Sequence, residues 1–286
     1  MPIDPGRLMA FEIPEVRQDY TLRDSAFFGL SVGLGQDPMD RRQLPYVGGL
    51  KDDIRVMPAI ANVLGHPGFW LEDPATGVDA TRVLHGEQGM TLYAPIPPQG
   101  TITARTRVTG LADKGEKGAL LYSEKLIRDA ATGQALATCR STTVLRGEGG
   151  FGGSPRRAEP PHTLPETDPD HLFDTPTRPE QALLYRWNGD SNPLHLDPVA
   201  AGRAGFDRPI LHGLCTFGFA AHALLAILCD YDSSRFGSMD GRFTSVVYPG
   251  ETLRTEIWND GSFRTRVVAR DVTVVGNGIF RHAGAA

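Results

Sequence analysis

A short string in the second half of the sequence places an acid and a histidine five residues apart. It reads GDSNPLH and runs from Gly189 to His195. Its first residues are turn formers, and Pro193 suits the first position of a short helix that carries His195. A carboxylate at Asp190 and an imidazole this close can both reach one small molecule, where they can activate a water and deliver a proton. The alternative is that Asp190 only caps the turn and His195 is a polar surface residue.

A second segment, which begins at Pro209, leads into the start of an apolar helix. Its sequence PILHGL places His212 and Gly213 at the predicted helix N-terminus. The first N–H groups of a helix lack intrahelical acceptors and carry the positive end of its dipole. Because Gly213 has no side chain, a developing oxyanion can approach its amide; the alternative is that this glycine only permits close packing. His212 and His222 are predicted to be structural.

Strand-like segments surround both motifs. Alternating apolar residues predict strands at 101–108, 120–128 and 135–145, and further strands at 242–247, 252–258 and 264–275. The apolar helix, from Gly213 to Cys229, covers 17 residues, and a membrane span needs about 20. We therefore expect an α+β fold with a buried core helix and no membrane partner.

A faint internal repeat indicates two copies of one fold. His85 in HGEQG precedes Pro98 by thirteen residues, and His212 in HGLCT precedes Pro249 by thirty-seven. The difference is about the length of the apolar helix, which predicts that the first copy lacks it. A stretch rich in Gly and Pro divides the copies. We predict an N-terminal domain at 1–150, a linker at 151–165 and a catalytic C-terminal domain at 166–286.

Composition narrows the classes of function. The 286 residues include 29 basic and 34 acidic side chains, a net charge of −5, and show no basic stripe, so nucleic acid is not an expected partner. Three cysteines without a CxxC pair predict a reducing compartment. The N-terminus has no apolar signal region, and the C-terminus has no peroxisomal address. We expect a cytoplasmic protein.

The stretch from Tyr185 to Leu225 resembles the type 2, or R-specific, enoyl-CoA hydratases of the MaoC-like dehydratase superfamily. The family signature is an aromatic residue, GDxNPLH, an acidic residue before Pro, AGF and PILHGL, and every element stands in this chain. The resemblance continues in LHGEQ, DKG, GEGGFGG and RFTSVVYPGETLRTEIW. It covers most of the chain from about Asp19 and is similar to the two-domain hydratase module of the peroxisomal multifunctional enzyme.

This resemblance implies a double hot dog fold, with two antiparallel sheets and a long central helix only in the C-terminal half. It also implies a lyase that reversibly adds water to a trans-2-enoyl-CoA, giving a (3R)-3-hydroxyacyl-CoA. The family's catalytic positions fall on Asp190, Asn192, His195 and Gly213. Its substrate contacts fall on His85, Gly86, Lys114, Ser191, Pro193, Leu194 and Phe243. The resemblance implies no cofactor and no metal, since coenzyme A belongs to the substrate, and it implies a homodimer.

Two other functions stay open on the sequence. A hot dog thioesterase would hydrolyse the acyl-CoA thioester, although such enzymes usually place their carboxylate in a different context. A non-catalytic acyl-CoA binding protein would hold the same ligand without turnover. The sequence leaves open the acyl chain, the choice between coenzyme A and acyl carrier protein, and the physiological direction.

Overall fold

The computed structural model describes residues 3–49, 53–152 and 160–284. The strands in these residues form one antiparallel sheet. Their bounds are β1 Val16–Tyr20, β2 Val83–Leu92, β3 Gly100–Asp113, β4 Ala119–Asp129, β5 Ala135–Leu145, β6 His171–Pro176, β7 Phe236–Phe243, β8 Thr252–Ile257, β9 Ser262–Val267 and β10 Val272–His282. The α-helices are α1 Pro5–Met9, α2 Leu22–Ser31, α3 Gln181–Tyr185, α4 Pro198–Arg203 and α5 Gly213–Ile227.

The sheet consists of two halves of five strands that meet at a single seam. Its order is β1-β3-β4-β5-β2-β7-β10-β9-β8-β6, so the N-terminal half supplies one side and the C-terminal half the other. Across the seam, β2 pairs with β7 from Glu87 opposite Arg242 to Thr91 opposite Ser238. The two predicted sheets are thus joined edge to edge along this stretch, which pairs backbone groups of both inner strands.

Helix α5 is the core of the C-terminal half, as the sequence predicts. Its 15 residues contain no proline, and its central part from Cys215 to Leu225 is buried. It contacts strands of both halves, among them β2, β7 and β10. Within the described residues, no helix is long and apolar enough to cross a membrane.

The N-terminal half has no helix of comparable length in its described residues. A 3-10 turn, Pro58–Asn62, lies instead between α5 and strands β2 and β5, and all five of its residues are buried. The buried Lys125 holds this turn in place, since its Nζ donates to the carbonyl oxygens of Asn62 and Leu64 at 2.9 and 2.6 Å. The turn occupies the side of the sheet where a central helix would otherwise pack.

Two strand predictions in the C-terminal half are wrong in their bounds. The segment 264–275 is not one strand but parts of β9 and β10, joined by a turn in which Asp271 has a φ of 53°. The segment 242–247 holds only the end of β7, because the chain leaves the sheet after Phe243. Part of the predicted linker, 153–159, lies outside the described residues, and the domain bounds stay a prediction.

Candidate active site

The GDSNPLH loop is held in shape by its own side chains. Gly189 ends a 3-10 turn with a φ of 110°, a left-handed conformation that glycine adopts without strain. Asp190 Oδ1 accepts a hydrogen bond from the Asn192 amide at 3.0 Å. Asn192 Oδ1 accepts one from the Leu194 amide, also at 3.0 Å, and so caps the predicted short helix Pro193–His195. The loop thereby presents Asp190 and His195 together.

His195 is buried, and a single hydrogen bond defines its tautomer. Its Nδ1 lies 2.9 Å from the carbonyl oxygen of Ile210. A carbonyl oxygen can only accept, so Nδ1 carries the proton and donates, and Nε2 keeps the lone pair in the neutral ring. Burial lowers the pKa of His195 below its usual value of 6.5. The ring is therefore a neutral base at pH 7, next to the half-buried Asp190.

His212 belongs to the same cluster, although the sequence predicted only a structural role. Its ring stacks on that of His195, with 3.8 Å between centroids and 30° between planes. One ligand atom each from Asp190, His195 and His212 lies within 4.8 Å of the others. The sequence signal available was the position of His212 directly before Gly213. Burial, followed by the neighbouring His195, lowers the pKa of His212 to about 4.

Gly213 opens α5 beside this cluster. The side chain of His212, at the N-cap position, makes no capping hydrogen bond, so the first amides of α5 depend on other acceptors. A Cβ built on Gly213 would lie 3.5 Å from the ring of Phe243, an ordinary contact distance. The glycine is therefore not required by packing on that side. It leaves the helix N-terminus open toward Phe243.

The N-terminal half contributes His85 to this region. The ring of His85 meets that of Phe243 edge to face, with centroids 4.8 Å apart. The register of β2 against β5 shifts at Gly86, a β-bulge that re-aims the side chain next to it. His85 Nε2 lies 3.1 Å from the Glu87 carbonyl oxygen, and burial lowers the pKa of His85 to about 4. The candidate site thus lies across the seam.

Most of the remaining predicted contacts are exposed. Ser191 and Pro193 lie at the surface of the loop, and Leu194 is half-buried. Lys114, in the turn between β3 and β4, does not join the histidine cluster. It lines a separate groove of about 940 Å³ on the sheet, together with Arg140.

Asp190, His195 and His212 are also residue types that bind metal ions, and their ligand atoms lie close enough together for one ion or one water to contact all three. The absence of a metal requirement stays a prediction.

The chain matches two protein-family models over most of its length. Residues 18–147 match the model of the MFE-2 hydratase 2 N-terminal domain, and residues 161–278 match that of the MaoC like domain. The chain is 39% identical to the peroxisomal enoyl-CoA hydratase 2 of Arabidopsis thaliana, over 94% of this chain and 92% of the relative. It is 41% identical to enoyl-CoA hydratase ChsH3 of Mycobacterium tuberculosis, over 98% of both.

A solved structure gives the same answer for the fold. The MaoC-like dehydratase of Phytophthora capsici is 30% identical to this chain and superposes with a TM-score of 0.86, over 98% of this chain and 99% of the other. The double hot dog fold is confirmed, with its long helix in the C-terminal half. The chain therefore belongs to the MaoC-like family of type 2 enoyl-CoA hydratases, with an N-terminal hydratase 2 domain before the MaoC-like domain.

Proposed function

We propose that this protein reversibly adds water to the double bond of a trans-2-enoyl-CoA, giving the (3R)-3-hydroxyacyl-CoA. The observation that carries the proposal is the tautomer of His195. Its Nδ1–H is committed to the Ile210 carbonyl, which leaves the basic Nε2 free beside the Asp190 carboxylate. Relatives of about 40% identity over nearly the whole chain are named enoyl-CoA hydratases, which supports the same reaction.

The reaction needs a base for water and a proton for C2. His195 Nε2 accepts a proton from the water while its oxygen forms the bond to C3, and Asp190 accepts the second hydrogen of the water as a hydrogen bond. The electron pair of the double bond moves toward the thioester carbonyl. The histidinium then returns its proton to C2 on the same face, which makes the addition syn. One such acid-base group contributes about 10² to 10⁴-fold to rate.

The thioester oxygen needs a donor while it carries the enolate charge. The Gly213 N–H at the start of α5 supplies it, and the dipole of this 15-residue helix has the favourable sign. Removing one oxyanion donor typically costs about 10² to 10³-fold in kcat. Phe243, which lies beside Gly213, and His85, which contacts Phe243, form the wall for the thioester.

All groups in this scheme are protein side chains and amides, so the proposal includes no cofactor. Coenzyme A enters as part of the substrate, and Lys114 is the residue we assign to one of its phosphates. The homodimer and the cytoplasmic location stay predictions.

The experiment follows the loss of the conjugated enoyl absorbance when purified protein meets a short and a long trans-2-enoyl-CoA. The product is then offered to R-specific and S-specific 3-hydroxyacyl-CoA dehydrogenases. Hydration that gives only the R product is the expected result. Release of free thiol without hydration would instead support the thioesterase function, and tight binding without either reaction would support a binding protein.

A further inference from the structure

His212 is the buried histidine of the site that the proposed mechanism leaves unused. Its side chain is 1% exposed, and although the Asp190 backbone raises its pKa as a nearby hydrogen-bond partner, neither ring nitrogen makes a hydrogen bond of normal geometry among the described residues. Buried polar atoms in folded proteins are nearly always paired with protein groups or with ordered water. If His212 only packed as a flat ring, burial of its unpaired nitrogens would cost free energy that a phenylalanine at this position would not. We therefore expect a hydrogen-bond partner, such as an ordered water, at its nitrogens.

The position of the ring is fixed from two sides. One face stacks on His195 at 3.8 Å, and Tyr185 lies on the ring at a centroid distance of 5.1 Å. The residue is also held by its place in the chain, since α5 begins directly after it at Gly213. His212 is thus a rigid member of the cluster that contains the Asp190–His195 pair.

The size of the cluster matches a water molecule. One ligand atom each from Asp190, His195 and His212 lies within 4.8 Å of the other two. Atoms no farther apart than this can all lie within hydrogen-bond distance, about 2.7–3.2 Å, of one water oxygen. The cluster is therefore compact enough to hold a single water.

The directions of the hydrogen bonds assign a role to each residue. The Asp190 carboxylate and His195 Nε2 can only accept, so they use both hydrogens of one water. A third contact to that oxygen must come from a donor. Neutral imidazole has one N–H, and at pH 7 His212 is neutral because burial lowers its pKa to about 4. With these three hydrogen bonds made, the water oxygen keeps one free lone pair, and the three partners fix its direction.

Asn192 is the other candidate donor near the loop, and the structure uses it differently. Its Oδ1 accepts from the Leu194 amide and caps the short helix, and its side chain is exposed to solvent. A contact from a solvated amide is weaker and less well directed than one from a buried ring. On the buried side of this cluster, the described residues offer two unpaired donors, His212 and the Tyr185 hydroxyl, and His212 is the one whose ring packs directly against His195.

We propose that His212 is the third contact of the reacting water: its ring N–H donates to the oxygen that Asp190 and His195 hold, and so directs the free lone pair at C3. This inference rests on the proposed hydratase function. It adds a catalytic residue that acts on the water and not on the coenzyme A thioester.

The first test is kinetic. His212→Phe keeps a flat ring in the stack but removes the donor, and we expect kcat to fall at least about tenfold while KM for the enoyl-CoA stays within about twofold. His212→Gln, which restores an N–H donor, is expected to turn over faster than the Phe variant. The matched control is His222→Phe, which replaces a buried histidine within α5, and for it we expect kcat within about twofold of wild type.

The second test needs no variant. A crystal structure of the wild-type protein that resolves waters should show one water oxygen within about 3.2 Å of Asp190, His195 Nε2 and a His212 nitrogen. A water that contacts the first two but lies beyond hydrogen-bond distance of both His212 nitrogens overturns the inference. So does a folded His212→Phe variant with wild-type kcat. A wild-type protein that does not hydrate any enoyl-CoA would refute the proposed function instead, which the absorbance assay establishes first.

Discussion

Arg140 and Asp240 form an ion pair across the seam between the two halves, with 3.0 Å between Nη2 and Oδ1. Arg140 lies on β5 and Asp240 on β7, and the strand between them carries Gly89 at the same level. A Cβ built on Gly89 would lie only 2.0 Å from Asp240 Oδ1. The ion pair therefore spans the middle strand because this strand has no side chain there.

The Arg140–Asp240 pair is expected to contribute little to stability. The two side chains are 42% and 44% exposed, so water screens their attraction. In a double-mutant cycle with Arg140→Gln and Asp240→Asn, we expect a coupling of about 0.2–1 kcal/mol in the free energy of unfolding, smaller at high salt. Urea unfolding measures it, and the Arg107–Glu124 pair within the N-terminal half is the reference. A coupling above about 2 kcal/mol would mean that the seam depends on this pair.

The sequence predicts some elements on either side of the seam but not the pairing of strands across it. Strands β3, β4 and β5 and helix α5 follow from local alternation and from an apolar run, although β3 extends five residues past its predicted end; strands β1, β2 and β6 are not predicted. The pairing of Glu87 with Arg242 does not follow, because it joins residues far apart in sequence and depends on the packing of both halves. The β9–β10 hairpin was missed for another reason. Its turn at Asp271 has a positive φ without the glycine that usually announces one.

The candidate site also has one part that the sequence predicts and another part that it does not. Turn chemistry in GDSNPLH predicts that Asp190 and His195 share one loop, and the capping by Asn192 follows from that pattern. The stack of His212 on His195 arises only when the segment 209–213 folds back on the loop, so no local pattern contains it. The exposed position of Lys114, outside the histidine cluster, is likewise a property of the fold.

The Asp190–His195 pair is expected to account for most of the chemistry. Asp190→Asn or His195→Gln should lower kcat at least about a hundredfold with the fold intact, because each removes an acceptor for the water. Circular dichroism checks the fold, and the enoyl absorbance assay gives kcat. Asp207→Asn is the control, since Asp207 is an exposed acid on the segment between the two motifs. Near-normal turnover of either pair variant would remove that residue from the mechanism.

Lys114 provides a test of how coenzyme A is held. If its ammonium group meets a phosphate, Lys114→Ala should raise KM for the enoyl-CoA about threefold to tenfold and leave kcat unchanged. KM for an enoyl thioester of N-acetylcysteamine, which has no phosphate, should not change. Arg41→Ala removes one exposed positive charge elsewhere and serves as the control. An equal rise in KM for both thioesters would assign Lys114 to the structure of its turn.

The pH dependence of turnover follows from the neutral state of His195. The active base is the unprotonated ring, so kcat/KM should fall with decreasing pH as His195 takes up a proton in the free enzyme. Burial lowers the pKa of His195, and the acidic limb should therefore have its midpoint below 6.5. A pH–rate profile with short-chain enoyl-CoA, corrected for unfolding at each pH, measures it. A midpoint above 6.5 would mean that Asp190 outweighs burial at this ring.

His222 offers a separate test of acid stability, away from the site. It is 2% exposed on α5, its Nε2 lies 3.2 Å from the hydroxyl of Tyr231, and burial lowers its pKa to about 4. The unfolded chain, with a histidine pKa near 6.5, binds more protons between pH 6.5 and 4 than the folded one does. Stability is therefore lost as pH falls through this window, by at most about 1.4 kcal/mol per pH unit for one histidine.

His222→Phe removes that proton uptake. We expect the variant to show a shallower loss of unfolding free energy between pH 6.5 and 4 than the wild type, whatever its stability at pH 7. Denaturant unfolding at half-unit steps of pH measures both slopes, and His282→Phe, which removes an exposed histidine, serves as the control. Equal slopes for the wild type and His222→Phe would show that His222 takes up its proton in the folded protein too.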